Sequence, residues 1–384
     1  MKKNKLFISI LVGLVAGQIF ADSGNRPFSI INTMRIGYDD NIYMQEDSES
    51  ASMYFEDGVD LSFNASLSDR TDILFRSLFL FSTDNADTTL DPNLYVVLSH
   101  SVSPRLLLQL SNVLRSGHAG GNNTADKRYD YWINTTTFEP TYVLTSKDRV
   151  SLPVSYEMKR HDGKEVEKLD YTTAKIEASW ERELRPQRTT SSLNLSHKMT
   201  EYDNRDSEHD STRLSVGLSH TFNQEWHGTI GGGVAYNQPD FADTPGFSPE
   251  NGETFSPEFN AGLTYVPTPR SRISANISHG QSESRAYTYG SSMVTELELS
   301  AQHDFTAKIM GKATARFQQS DYDKDDSENG KGSTESERMQ LELQLNYKIN
   351  RVNFLELRYK YTDKSGDHGE WDQNRIDMGW RVEL

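Results

Sequence analysis

Three groups of residues in this chain have side chains of the kinds that chemistry would need. The tripeptide His209-Asp210-Ser211 carries the groups of a hydrolytic triad, and some barrel enzymes of membranes use such groups near a rim. A triad converges from separate segments, whereas three consecutive residues cannot meet on one atom, so the tripeptide reads as part of a polar loop spanning 202–211. The acidic series Asp321, Asp323, Asp325 and Asp326 has the opening spacing of a calcium loop. Its sixth position is Asp326 rather than Gly, and its twelfth, Gly332, cannot supply a bidentate carboxylate. A solvated acidic loop is the better reading, and no helical zinc-protease motif occurs. The third group is a ladder of charged and amide side chains in the last quarter: Glu296, Glu298, Lys312, Arg316, Glu342, Gln344, Glu356, Arg358, Lys360, Asp377 and Arg381. Its mixed signs suit hydrogen bonding to polyhydroxylated solutes, or cross-strand ion pairing that holds a wall together. No catalytic residue, metal or cofactor is expected, and the chain is not expected to be an enzyme.

What positions the ladder is a period of two. Within each run the charged residues alternate with apolar ones, as in Met339, Leu341, Leu343, Leu345, Tyr347 and Ile349, or Leu355, Leu357, Tyr359 and Tyr361. Successive side chains of a strand point to opposite faces, so the runs read as strands with one apolar and one polar face. The pattern begins with Phe28, Ile30, Met34, Ile36 and Tyr38 and continues through Met53 to Leu67, Ile73 to Phe81, Leu94 to Val102, Leu106 to Leu114, Val150 to Met158 and Leu214 to Phe222. It recurs at intervals of roughly twenty residues, which gives about 18 strands, in the range 16–18. Short connections such as Ser68–Asp72, Ser103–Arg105, Asn223–Glu225 and Asn350–Arg351 alternate with long polar ones such as 39–51, 115–128, 238–254, 320–336 and 362–374. The expected fold is therefore all-β: a transmembrane antiparallel up-and-down β-barrel with short periplasmic turns and long extracellular loops. Closure is required because hydrocarbon offers no partner to an unpaired strand edge.

Composition agrees with export to such a membrane. Lys2, Lys3 and Lys5 precede an apolar run from Leu6 to Ala16, with a small residue, Ala21, at the expected cleavage point. Residues 1–21 read as a signal peptide and 22–384 as one barrel domain in the cell outer membrane. The chain has no Cys, so no disulfide or lipid-modified cysteine is available. A mean hydropathy of -0.70 leaves no stretch for a spanning helix. Removing three leader lysines from 40 basic residues leaves 37 against 56 acidic ones, a net charge near -19, which argues against nucleic acid as an electrostatic partner while leaving anionic partners open locally. Tyr38, Tyr43, Trp132, Trp226, Tyr236, Tyr265, Tyr359, Tyr361 and Trp380 fall near strand ends, where interfacial girdles are expected.

Two resemblances add to this. The last run, Ile376, Met378, Trp380, Val382 and Leu384, resembles the C-terminal assembly signal of outer-membrane barrels, departing from its commonest form by ending in Leu rather than Phe. The motif Gly37-Tyr38-Asp39-Asp40-Asn41-Ile42-Tyr43 resembles the opening of the β-barrel porin families encoded near exopolysaccharide export genes. The units around 140–150 and 264–271 resemble the strand, basic turn and strand units of those families. The resemblance implies a conduit, or an accessory to one, for exopolysaccharide or oligosaccharide; a general solute-diffusion porin and a structural or adhesive barrel without an open pore are the alternatives. The partners expected are outer-membrane lipid and lipopolysaccharide, the barrel-assembly machinery, polysaccharide and periplasmic export components.

Overall fold

The computed structural model describes residues 27–41, 51–83, 88–120, 128–162, 170–203, 207–240, 253–283, 291–322, 334–366 and 370–384. The leader 1–21, Tyr43, Asp323, Asp325, Asp326 and Gly332 lie outside the described residues.

Every element among the described residues is a strand. The first nine segments are β1 (Phe28–Asp39), β2 (Ser52–Ser68), β3 (Thr71–Thr83), β4 (Thr88–Ser103), β5 (Leu106–Gly120), β6 (Arg128–Val143), β7 (Asp148–Ser151), β8 (Val154–His161) and β9 (Tyr171–Arg185). There follow β10 (Thr189–Tyr202), β11 (Ser207–Thr221), β12 (Trp226–Asp240), β13 (Thr254–Thr268), β14 (Ser271–Glu283), β15 (Ser291–Asp304), β16 (Ile309–Tyr322), β17 (Thr334–Lys348), β18 (Asn353–Gly366) and β19 (Trp371–Glu383). Segments β7 and β8 are one wall strand. Both pair with β6 and β9 in an unbroken register, Thr141↔Ser151 continuing as Phe138↔Val154. The ladder lapses at Leu152-Pro153 because neither Pro153, on the β9 side, nor Pro140 of β6, which faces Leu152, has an N–H to donate. The wall therefore has eighteen strands, each antiparallel to its chain neighbours.

The sheet closes on itself. β1 pairs with β19 from Ile31↔Glu383 to Asp39↔Arg375, and the Leu384 amide and carbonyl bond to Ile30 at 2.8 and 3.1 Å. The terminal strand thus has both of its edges paired, with β18 on one side and β1 on the other.

The burial pattern is inverted relative to a water-soluble protein. Among the described residues only Tyr54, Val97, Tyr171 and Ala235 are buried hydrophobics, whereas Leu, Ile, Val and Phe side chains cover the outside of every wall strand. Apolar surface on that scale requires an apolar solvent. Aromatic pairs mark two levels of the outer face: Trp226 stacked on Tyr265 at 4.1 Å beside the short turns, and Tyr236 tilted against Phe255 at 4.8 Å toward the other rim.

The short turns are built by one local device. The oxygen of a Ser, Thr or Asn accepts a backbone N–H two or three residues on: Ser103 from Leu106 (3.1 Å), Thr145 from Asp148 (3.0 Å), Asn223 from Glu225 (2.8 Å), Thr306 from Ile309 (3.0 Å) and Asn350 from Asn353 (2.9 Å). Ser68 and Thr268 do the same for Arg70 and Arg270. This pre-bends the chain before the ladder resumes. The turn from Arg185 to Thr189 instead has Gln187 at a φ of 57°, with its amide held by the Glu183 carboxylate.

At the opposite rim the strands outrun the sequence pattern. Residues 116–120, 207–211 and 362–366 and the start of β19, expected to be loop, are strand. Both faces there meet water, so apolar alternation disappears while backbone pairing continues. His209-Asp210-Ser211 is a correction of this kind: it belongs to β11, not to a loop. Its residues alternate between wall faces, with Asp210 opposite Met199 on the outside and His209 opposite Thr200 on the inside.

Candidate functional site

Because lipid-facing residues fix one parity in each strand, the other parity names the inner wall. All eleven residues of the charged ladder take the inner parity: even numbers in β15 to β18 and odd numbers in β19. The structure brings Glu356, Arg358, Asp377 and Arg381 into one network and Glu296, Glu298 and Arg316 into another. Glu342 and Lys360 line the same recess as the first network, about 600 Å³ in volume, without joining its ion pairs. Lys312 and Gln344 face each other across β16 and β17, and Gln344 donates to Asn346 at 3.1 Å.

The first network lies where the barrel closes, and many of its bonds span an intervening strand. Arg35 of β1 reaches across β19 to Glu356 of β18 at 3.1 Å. Arg375 of β19 reaches across β1 to Glu56 of β2 at 2.5 Å. Tyr54 of β2 crosses β1 as well, donating its hydroxyl to Asp377 of β19 at 3.0 Å. Arg358 donates to the same Asp377 oxygen at 2.9 Å from the strand directly opposite, and the Arg375 guanidinium lies 3.9 Å above the Tyr54 ring. Asp377 is 3 % exposed and Glu356 5 %, so the carboxylates are enclosed by arginines rather than by water. Hydrogen bonds to charged groups are the strong class, and here they tie the first two strands to the last two.

Gly37 is the residue that makes the crossing possible. It faces inward beneath Tyr54, and a Cβ at this position would overlap the tyrosine ring. The glycine of the motif 37–43 is therefore explained by the close approach of a ring. The following Asp39, 3 % exposed, accepts from the Gln373 amide at 2.9 and 3.0 Å, a further tie from β1 to β19.

Arg35, Tyr54, Glu56, Asp60, Arg76 and Arg375 are site residues that the sequence reading did not single out. Arg35, Tyr54 and Asp60 lie between apolar residues and Glu56, Arg76 and Arg375 beside one, so inverting the alternation in the first strands as well as the last would have found them. What no pattern gave is which strand each reaches. Ile31, Leu78 and Leu80 line the same recess, so this stretch of lumen mixes apolar side chains with the charges. A second recess of about 620 Å³ opens at the short-turn mouth between Arg105, Arg149, Glu139 and Glu181.

Among the described residues, no group of three His, Asp or Glu side chains has the proximity to hold a metal ion. Nor do His209, Asp210 and Ser211 converge, being placed alternately on the two faces of β11.

In comparisons with known proteins, the chain is similar to outer-membrane barrels of solved structure. The outer membrane protein opdK of Pseudomonas aeruginosa superposes with a TM-score of 0.53 at 11% identity, over 93% of this chain and 99% of that one. OccK5 (OpdH) of the same organism gives 0.52 at 11% identity, over 94% and 100%. The alcaligin outer membrane receptor FauA of Bordetella pertussis gives 0.50 at 13% identity, over 94% of this chain and 77% of the receptor. These likenesses are of fold. No curated protein matches the chain in sequence. The family described as "Putative beta-barrel porin 2" matches residues 154–384, from β8 to the terminal strand. With its closed wall of eighteen strands, an apolar outside and a charged lumen, the chain belongs to this family of porin-like outer-membrane barrels.

Proposed function

We propose that this porin-like barrel is an aqueous conduit for oligosaccharide or exopolysaccharide, the eleven residues of the charged ladder lining the path. The observation that carries the reading is the inner wall itself: from β15 round through β19 to β3 it presents carboxylates, guanidiniums and amides, part of them around a recess of about 600 Å³. Barrels of 16 to 18 strands leave room for an aqueous channel. Sugars offer many hydroxyls and little charge, and exchange hydrogen bonds with such a wall without binding tightly. The resemblance of 37–43 to porins encoded near exopolysaccharide export genes supports the choice of polymer. On this reading the partners are lipopolysaccharide around the outer face, periplasmic export components at the short-turn mouth, and the barrel-assembly machinery, which would read the strand ending at Leu384. Residues 1–21 act as the cleaved leader.

The test is single-channel conductance of the refolded mature chain in a planar bilayer, with polysaccharide on one side. Open steps that polymer blocks support a sugar conduit. Open steps indifferent to polymer indicate a general solute porin, and a silent but folded barrel indicates a structural one.

A further inference from the structure

We infer that the outer mouth of the lumen holds a binding site for an acidic sugar, a pyranose ring bearing a carboxylate. The inference rests on the reading of the barrel as a sugar conduit and names the class of sugar it selects.

The site is marked by an electrostatic anomaly. Arg338 of β17 and Lys364 of β18 face each other directly across the strands, and Lys360 faces Arg375 in the next pair of strands. Like charges directly opposite are destabilising. From β15 round to β3 the other inner arginines are compensated: Arg35, Arg76, Arg316, Arg358, Arg375 and Arg381 each pair with a carboxylate. Among the described residues of this stretch, Arg338, Lys360 and Lys364 have no such pair, nor do Lys312 and Lys348, which lie toward the short turns. Glu342 lies opposite Lys360 but is not within ion-pair distance. Arg338 meets an amide, Gln340, whose oxygen accepts from Nε and Nη2 at 3.2 and 3.0 Å when turned toward it.

The second observation is aromatic. Trp371 has the inner parity of β19 and stands opposite Lys364, with the Arg338 guanidinium 6.0 Å from its ring centroid. Most other large aromatics of β17 to β19 face lipid, so an indole on the inner wall beside uncompensated cations is out of place as a girdle residue. An indole offers a flat apolar platform with a polar edge, which matches the C–H face of a pyranose. A guanidinium and an ammonium flanking that platform match a carboxylate, through charge-assisted bonds that are roughly twice as strong as neutral ones. In the proposed pose the sugar ring stacks on Trp371, its carboxylate lies between Arg338 and Lys364, and Lys360 attracts the next acidic residue of the polymer inward.

The experiment uses the full mature chain and two variants, Arg338→Gln/Lys364→Gln and Trp371→Ala, each checked for folding by heat-modifiable gel migration. Oligogalacturonate and dextran oligomers of equal length are added to the side opposite the short turns. The expected result is reversible block by oligogalacturonate but not dextran. The double variant should need at least about tenfold more oligogalacturonate, because both charge-assisted contacts to its carboxylate are lost, and in Trp371→Ala oligogalacturonate should block no better than sulfate. Block of the same strength in all three proteins, or none in an open pore, overturns the site while leaving the pore reading intact. Sulfate as effective as oligogalacturonate on the native protein also overturns it, because then only charge is read. If no conductance is seen, quenching of tryptophan emission by oligogalacturonate decides. Quenching lost in Arg338→Gln/Lys364→Gln supports the site and sinks the pore, and no quenching sinks both.

Discussion

Replacing Asp377 by Asn tests whether the charged network at the closing seam holds the barrel together. The substitution keeps the size and shape of the side chain, so it leaves no cavity and isolates the charge. Asp377 accepts from Arg358 at 2.9 Å and from Tyr54 at 3.0 Å, with Arg35 and Arg375 each at 3.9 Å. Breaking a fully buried ion pair costs about 3–5 kcal/mol. Two facts lower that figure here. The side chains of Arg35, Arg358 and Arg375 are 24%, 28% and 27% exposed to the lumen, and Arg35 and Arg375 keep Glu356 and Glu56 as second partners. The expected loss is about 2–3 kcal/mol, or roughly 30- to 150-fold in the ratio of folded to unfolded chains. It is to be measured by urea unfolding in lipid vesicles, followed by tryptophan emission. Glu383→Gln is the control, since Glu383 meets Arg381 at 3.3 Å with a side chain 39% exposed and should cost less than about 0.5 kcal/mol. An Asp377→Asn barrel as stable as the control would refute the reasoning that bonds skipping a strand secure the seam.

Three further outcomes follow from the same geometry. Gly37→Val should push the Tyr54 ring off Asp377 and Arg375, costing about 1–3 kcal/mol as overpacking, and the additional substitution Tyr54→Ala should recover part of the loss; no recovery in the double variant would mean that the ring is not what the valine meets. Leu343→Arg should cost about 2–4 kcal/mol on the lipid face, whereas Gln344→Arg, one residue on and facing the lumen, should cost under about 1 kcal/mol and move ion selectivity toward anions; equal costs would reverse the assignment of inside and outside. Pro153→Ala should restore a ladder hydrogen bond within the strand made by β7 and β8, with a gain of about 0.5–1.5 kcal/mol and slowed amide exchange at residue 153; an amide that exchanges at the rate of a turn would show that the lapse there is not caused by the missing N–H.

The comparison of sequence with structure separates what is local from what is not. Period-two alternation of Leu, Ile, Val and aromatic residues determined that the chain forms strands, which face of each meets lipid, and that about 16 to 18 of them close, because one apolar face over so many strands has no other stable arrangement in a membrane. The same alternation by itself puts Glu356, Arg358 and Asp377 on the inside. Turn positions were legible too, since a Ser, Thr or Asn ahead of the bend acts within three residues of itself. The full length of the strands was not, as at 116–120 and 207–211: once both faces are wet, side-chain pattern no longer reports backbone pairing. Above all, the partners of the inner residues depended on closure. Arg35 and Glu356 are 321 positions apart, and nothing in either run indicates the other. The register of β1 against β19 brings them within 3.1 Å across an intervening strand, that of β1 against β2 leaves Gly37 beneath Tyr54, and those of β18 against β17 and β19 set Arg338 against Lys364 beside Trp371. Alternation assigns a face to each side chain, but a neighbour on that face is a property of the closed sheet.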